Sequence, residues 1–169
     1  MCFLTGCSPE PKAPEPTVNP HPHKFTELKI SVEPGSDVNN LEVYSIWAIG
    51  NLGCAPQRPW SGTTVQKEIH TEESVKQIDA VSFLATTIKD RFLPGNCQWH
   101  AGGYEIHFMH NHTLLAVGGA GRRNFDEFST VKWTCVSKDD PPFCWPRSQE
   151  AFFRKHFDGV FNTTVEIQK

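Results

Sequence analysis

Apolar residues first fall into register near Phe25. Leu28, Ile30 and Val32 alternate with Lys29 and Ser31, the period of a strand with one buried face. Pro34-Gly35-Ser36-Asp37 is a turn signal. Leu41 to Ile49 (LEVYSIWAI) is apolar at both parities and predicts a central strand, ended by Asn51-Leu52-Gly53-Cys54. A loop with Pro56, Pro59 and Gly62 follows, and Thr63 to Ile69 predicts another strand. Between Glu72 and Phe92 two periods compete. Val75, Ile78, Val81 and Leu84 suit a helix, whereas Val81, Phe83, Ala85 and Thr86-Thr87-Ile88 suit a strand. The β-branched residues favour a strand over about 80–90.

Beyond the Pro94-Gly95 turn, Tyr104, Ile106 and Phe108 alternate with Glu105, His107 and Met109. Thr113 to Val117 predicts a further strand, closed by Gly118-Gly119-Ala120-Gly121 as a plain turn or bulge. Ser129 to Val136 sets Val131, Trp133 and Cys135 on one face, ahead of an Asp139-Asp140-Pro141-Pro142 turn. One helix is predicted. Pro146 precedes it, Ser148 can cap it, Glu150 suits its first turn and Gly159 ends it. Phe152, Phe153, His156 and Phe157 form its apolar stripe. The last strand holds Phe161, Thr163, Val165 and Ile167 on one face. The whole predicts a mainly β fold, a β-sandwich with one helix near the C-terminus. Trp47 and Trp133 read as core, and no internal repeat is visible.

Upstream of Phe25 the pattern is absent. Residues 8–24 carry Pro9, Pro11, Pro14, Pro16, Pro20 and Pro22 with almost nothing apolar, and predict a disordered tether. In polyproline II such a stretch reaches on the order of 50 Å. Before it, Leu4-Thr5-Gly6-Cys7 resembles the lipobox of bacterial lipoproteins, in which the signal is cut before the cysteine and the cysteine takes the lipid. Met1 to Thr5 is too short for a complete signal peptide, so this resemblance implies a true start upstream. Ser8, after the cysteine, is similar to an outer-membrane sorting pattern. The expected organisation is a signal remnant over 1–7, a tether over 8–24 and one β-rich domain over 25–169.

Composition narrows the function. The chain has 169 residues, 38% hydrophobic and 11% aromatic, enough for one core. A net charge of −3 offers no basic patch for nucleic acid. No apolar run approaches the roughly 18–20 residues of a membrane span. With Cys2 and Cys7 assigned to the signal region, Cys54, Cys97, Cys135 and Cys144 remain. Four cysteines allow three pairings. Cys135 and Cys144 flank a turn-rich segment and read as a hairpin staple, leaving Cys54 to Cys97. A zinc site is the alternative, but no Cys-x-x-Cys spacing is present.

Three histidines crowd Glu105 to His112 (EIHFMHNH). Strand alternation turns His107 away from the face shared by His110 and His112, so no metal site and no cofactor are expected. There is no Gly-x-Ser-x-Gly, His-Glu-x-x-His or Gly-Lys-Ser/Thr element, and no catalytic residue is assigned. Arg122 and Arg123, together with the loop tryptophans Trp60 and Trp145, are candidate partner anchors. Solvated arginines and packed-down tryptophans are the competing readings. The candidate contact segments are Ala55–Gly62, Gly118–Asn124 and Asp139–Trp145.

The stretch Asp90-Arg91-Phe92-Leu93-Pro94-Gly95-Asn96-Cys97-Gln98-Trp99 resembles a motif of small lipoproteins of Gram-negative bacteria, in which Pro-Gly-x-Cys-x-Trp leads into an alternating strand. Several of these resemble immunity proteins encoded beside type VI secretion effectors, including antibacterial phospholipases. The resemblance spans roughly Leu41 to His110. It implies a β-rich periplasmic domain, a Cys54–Cys97 bridge and no catalytic residues. The expectation is therefore a lipid-anchored protein on the periplasmic face of the envelope that neutralises a cognate effector. The alternative is an envelope structural or assembly lipoprotein that binds another envelope protein.

Overall fold

Alternation along each strand becomes alternation in burial. In the computed structural model, which describes residues 14–57, 61–62, 68–121, 129–137 and 141–168, Thr26, Leu28, Ile30 and Val32 of β1 (Phe25–Val32) are buried, while Glu27 and Lys29 are exposed. The other strands are β2 (Asn40–Ile49), β3 (Glu68–Glu72), β4 (Ser74–Gln77), β5 (Ser82–Ile88), β6 (Trp99–His110), β7 (Thr113–Gly121), β8 (Thr130–Val136), β9 (Cys144–Pro146) and β10 (Val160–Gln168). They form two antiparallel sheets, ordered β4-β5-β1-β10-β8-β9 and β3-β2-β6-β7. The inner faces share one core in which Leu28, Ile30, Phe83 and Val165 meet Val43, Tyr104, Ile106 and Phe108. A single helix is described, α1 (Glu150–His156), preceded by a 3-10 turn at Arg147–Gln149. The mainly β, disulfide-stapled sandwich with a C-terminal helix is the fold expected. Both bridges form as Cys54–Cys97 and Cys135–Cys144.

One residue joins the two sheets where β3 ends and β4 begins. Glu73 lies between them, so the chain changes sheets there. Its side chain is buried, and its Oε2 accepts a 2.6 Å hydrogen bond from the Arg91 guanidinium. Burial pushes the carboxyl above its usual range, against the lowering pull of Ser45 and Arg91. This switch explains why the helical reading of Val75, Ile78, Val81 and Leu84 fails. Val75 pairs with Ala85 in the β4–β5 hairpin, and Val81 lies in the bend before β5.

Two expectations about local structure change. Gly118–Gly121 is not a turn but the second half of β7, paired with Gly103–Ile106. Gly118 is there to receive a side chain, because a Cβ would lie 2.7 Å from the Trp133 ring. At the helix, Ser148 makes no capping bond, since the Arg147–Gln149 turn absorbs that position.

The expected tether also differs. From Thr17 onward it is docked along residues 90–93. The Asn19 amide donates to Arg91 O at 2.7 Å and the Leu93 amide to Thr17 O at 2.9 Å, and Val18 bridges Phe92. The Asp90 carboxylate accepts from the backbone amides of Lys24 (2.9 Å) and His23 (3.0 Å). Desolvation opposes the charged form, but these amides outweigh it and hold the Asp90 carboxyl below its usual range. Low hydrophobicity hid this docking because polar and backbone groups carry it.

Loop-closure entropy ranks the two staples. With sequence separations of 43 and 9 residues, Cys54→Ala should cost about 4 kcal/mol and Cys135→Ala about 3 kcal/mol. Urea unfolding without reductant measures both, and equal losses would contradict the ranking. Arg91→Ala should cost about 3 kcal/mol at pH 8, because a buried carboxylate loses its partner. Glu73 titrates higher folded than unfolded, so its ionisation destabilises the native state as pH rises through the folded value. The Arg91→Ala loss should therefore shrink toward pH 4, and a pH-independent loss would exclude this cause.

Candidate partner-binding surface

The Cys135–Cys144 bridge ties β9 to β8, where Thr134 pairs with Trp145. Trp145 is thereby held at the sheet edge, 42% exposed. Beyond it, Arg147 donates to Thr163 O at 3.1 Å and fastens the 3-10 turn to β10. Helix α1 is fixed by a polar network. Arg154 bonds Glu150 (2.8 Å) and Glu33 (2.6 Å), while Asn162 donates to Glu150 at 2.7 Å and Glu33 accepts from the Asn162 amide at 2.8 Å. Hydrogen bonds from Asn162 and Arg154 hold the Glu150 carboxyl below its usual range.

This network leaves an aromatic cluster facing outward. Phe153 is buried and stacks on Trp145 at 6.0 Å. Phe152 packs edge-on against Phe153 at 5.5 Å and lies 4.6 Å from the His156 ring. Phe152 is nevertheless 56% exposed and Phe157 36%. Trp145, Phe152 and Phe157 thus form an exposed apolar patch around one buried anchor, with Arg154 and Lys155 on the same helix. Contiguous patches of this kind mark interaction sites, and aromatics dominate interface hot spots.

Of the expected site residues, Trp145 belongs to this patch. Cys7, Trp60, Arg122 and Arg123 lie outside the described residues. The Gly118–Gly121 part of a proposed contact segment is strand rather than free loop. Phe152 and Phe157, expected in the apolar stripe of the helix, are patch residues outside the candidate partner anchors. The signal was in the spacing. Phe152 and Phe153 are adjacent on a helix, about 100° apart, and Phe157 caps its C-terminal end, so in a seven-residue helix with one buried ring the neighbours lie at the edge of the inward face. The histidines of β6 bond within the protein. His107 bonds Glu105 at 2.5 Å, His110 bonds Asp37 O at 2.6 Å, and no metal-holding group of three exists among the described residues.

No family model, curated protein or solved structure matches the chain. Among the described residues no helix is long and apolar enough to cross a membrane.

Truncation separates anchor from surface. Phe153→Ala should cost about 3–4 kcal/mol as a buried ring. Phe152→Ser should change stability by less than about 0.5 kcal/mol. Thermal denaturation of both variants checks this, and equal losses would mean that Phe152 is core.

Proposed function

We propose that the protein is a lipid-anchored envelope protein that binds and neutralises an antibacterial effector delivered by type VI secretion, a phospholipase among the candidates. The observation that carries the reading is the exposed Trp145–Phe152–Phe157 patch, held by the Cys135–Cys144 staple and the Glu33–Arg154–Glu150 network. Binding costs less when side chains are ordered beforehand, and this patch is ordered before any partner arrives. A disulfide-bearing scaffold suits an oxidising compartment, and the lipobox-like Leu4-Thr5-Gly6-Cys7 supplies the anchor. In this mechanism the anchor concentrates the inhibitor where the toxin arrives, and the aromatic surface covers the toxin's working face. The reading assigns the chain no catalytic residue of its own.

Mixing the domain with the effector encoded beside it should give a stable 1:1 complex and abolish the effector's activity. The Trp145→Ala, Phe152→Ala double variant should weaken that complex by at least about 2 kcal/mol, the scale of hot-spot loss. Calorimetric titration with both forms measures the difference. Failure to bind any neighbouring effector would sink the reading in favour of an envelope assembly role. Mass spectrometry of protein from native membranes should find Cys7 acylated and Met1–Gly6 absent.

A further inference from the structure

Trp145 is carried by a strand too short to hold itself. β9 spans three residues at the edge of its sheet and pairs with β8 through Trp133–Pro146, Thr134–Trp145 and Cys135–Cys144. Pro146 has no N–H to give that ladder. Just before β9, Phe143 O accepts from the Val136 amide and Pro142 O from the Val117 amide, each at 3.2 Å. A pairing this short is marginal in water. The Cys135–Cys144 bridge makes up the difference. Cys135 is fully buried in the main core, so a covalent bond to it holds β9 against β8.

The rest of the patch is fastened by other means. Arg147 pins the chain directly after β9 to Thr163 O at 3.1 Å. Arg154 reaches Glu33 at 2.6 Å, and Asn162 reaches Glu150 at 2.7 Å. These bonds tie α1 and its 3-10 turn to β10 and to Glu33, and none of them uses a β9 residue. Phe153 is the buried anchor under the patch, and Trp145 stacks on it at 6.0 Å. Freeing β9 therefore takes Trp145 out of the cluster and uncovers Phe153, while α1 stays docked.

We propose that the Cys135–Cys144 bridge is a redox latch on the aromatic patch. Oxidised, it sets Trp145 over Phe153; reduced, β9 swings out and the patch is lost while the sandwich stays closed. In the forward step the two thiols form one disulfide and give up two protons and two electrons, which convert the disulfide of a thiol oxidoreductase to its dithiol. In the reverse step the thiolate of a dithiol attacks Cys144 Sγ, because Cys144 is half-buried whereas Cys135 has no exposure. Cys135 leaves as a thiolate and takes a proton, and the second thiol of the reductant resolves the mixed disulfide on Cys144. The binding surface is thereby withheld until the chain meets an oxidising environment. In what it says of binding this inference rests on the effector reading; the latch itself does not.

The test follows the full chain by heteronuclear NMR, with Trp145→Phe assigning the Trp145 indole signal. In the Cys135→Ser, Cys144→Ser variant that signal should move to its unfolded-chain position, and the Val136 amide signal should shift with it. The Asn162 and Phe157 amides, bonded to the Glu33 carboxylate and to Phe153 O, should keep their signals in place. The Cys54→Ser, Cys97→Ser variant retains the latch and should hold the Trp145 signal until excess dithiothreitol is added, which should then move it. If this second variant fails to fold, the first decides alone. An unmoved Trp145 signal in Cys135→Ser, Cys144→Ser would overturn the proposal, because the patch would then stand without its bridge. Joint loss of the Asn162 and Trp145 signals would overturn it too, because the bridge would then hold the whole fold. Neither readout uses a partner, so a chain that passes both and binds no effector keeps the latch and loses the functional reading.

Discussion

The ion pair between Glu73 and Arg91 sits where the chain leaves one sheet for the other. A carboxylate with little access to water is tolerable only while its partner stays in place. That requirement fixes Arg91, and Arg91 fixes its neighbours. One residue earlier, Asp90 collects the N-terminal arm. One residue later, Phe92 closes on Trp47, and Cys97 then locks to Cys54. Gly95 turns the chain with φ at +54°, a conformation glycine adopts without strain. The segment from Asp90 to Trp99 is thus a bracket in which Asp90 holds the arm and Cys97 and Trp99 are buried, while Leu93 to Asn96 and Gln98 are exposed.

The two disulfides divide the labour. Each ties down a part of the fold that long strands do not hold alone. Cys135–Cys144 joins β9, which carries Trp145, to β8, and Cys54–Cys97 belongs to the smaller apolar cluster with Trp47, Ile49 and Trp99. The aromatic patch stands on a three-residue strand and a seven-residue helix, and Cys54 ends a three-residue 3-10 turn. Such elements have little cooperative stability of their own, and covalent closure offsets that deficit.

Much of the fold was legible because period-2 alternation is a strong signal where one face is dry. β1 and β10 were readable residue by residue, with Phe161, Thr163, Val165 and Ile167 all buried as expected. The failures share a cause, since each depends on a contact distant in sequence. Gly118 looked like a turn until Trp133 was placed against it. The residues of β4 satisfied a helical period until Glu73 sent them to the other sheet. The arm looked disordered because Asp90, which holds it, lies 67 residues beyond His23. For the candidate surface, Trp145 was legible as a tryptophan in an irregular segment, whereas the exposure of Phe152 needed helix geometry.

The docked arm has a mechanical consequence. A load applied at the N-terminal end meets the Asn19–Arg91 and Leu93–Thr17 hydrogen bonds and the Asp90 clasp before it reaches β1. The arm can peel away without unravelling the sandwich, lengthening the chain by its extended contour while the sheets stay closed. The protein thus carries a sacrificial link, a shock absorber in series with its core.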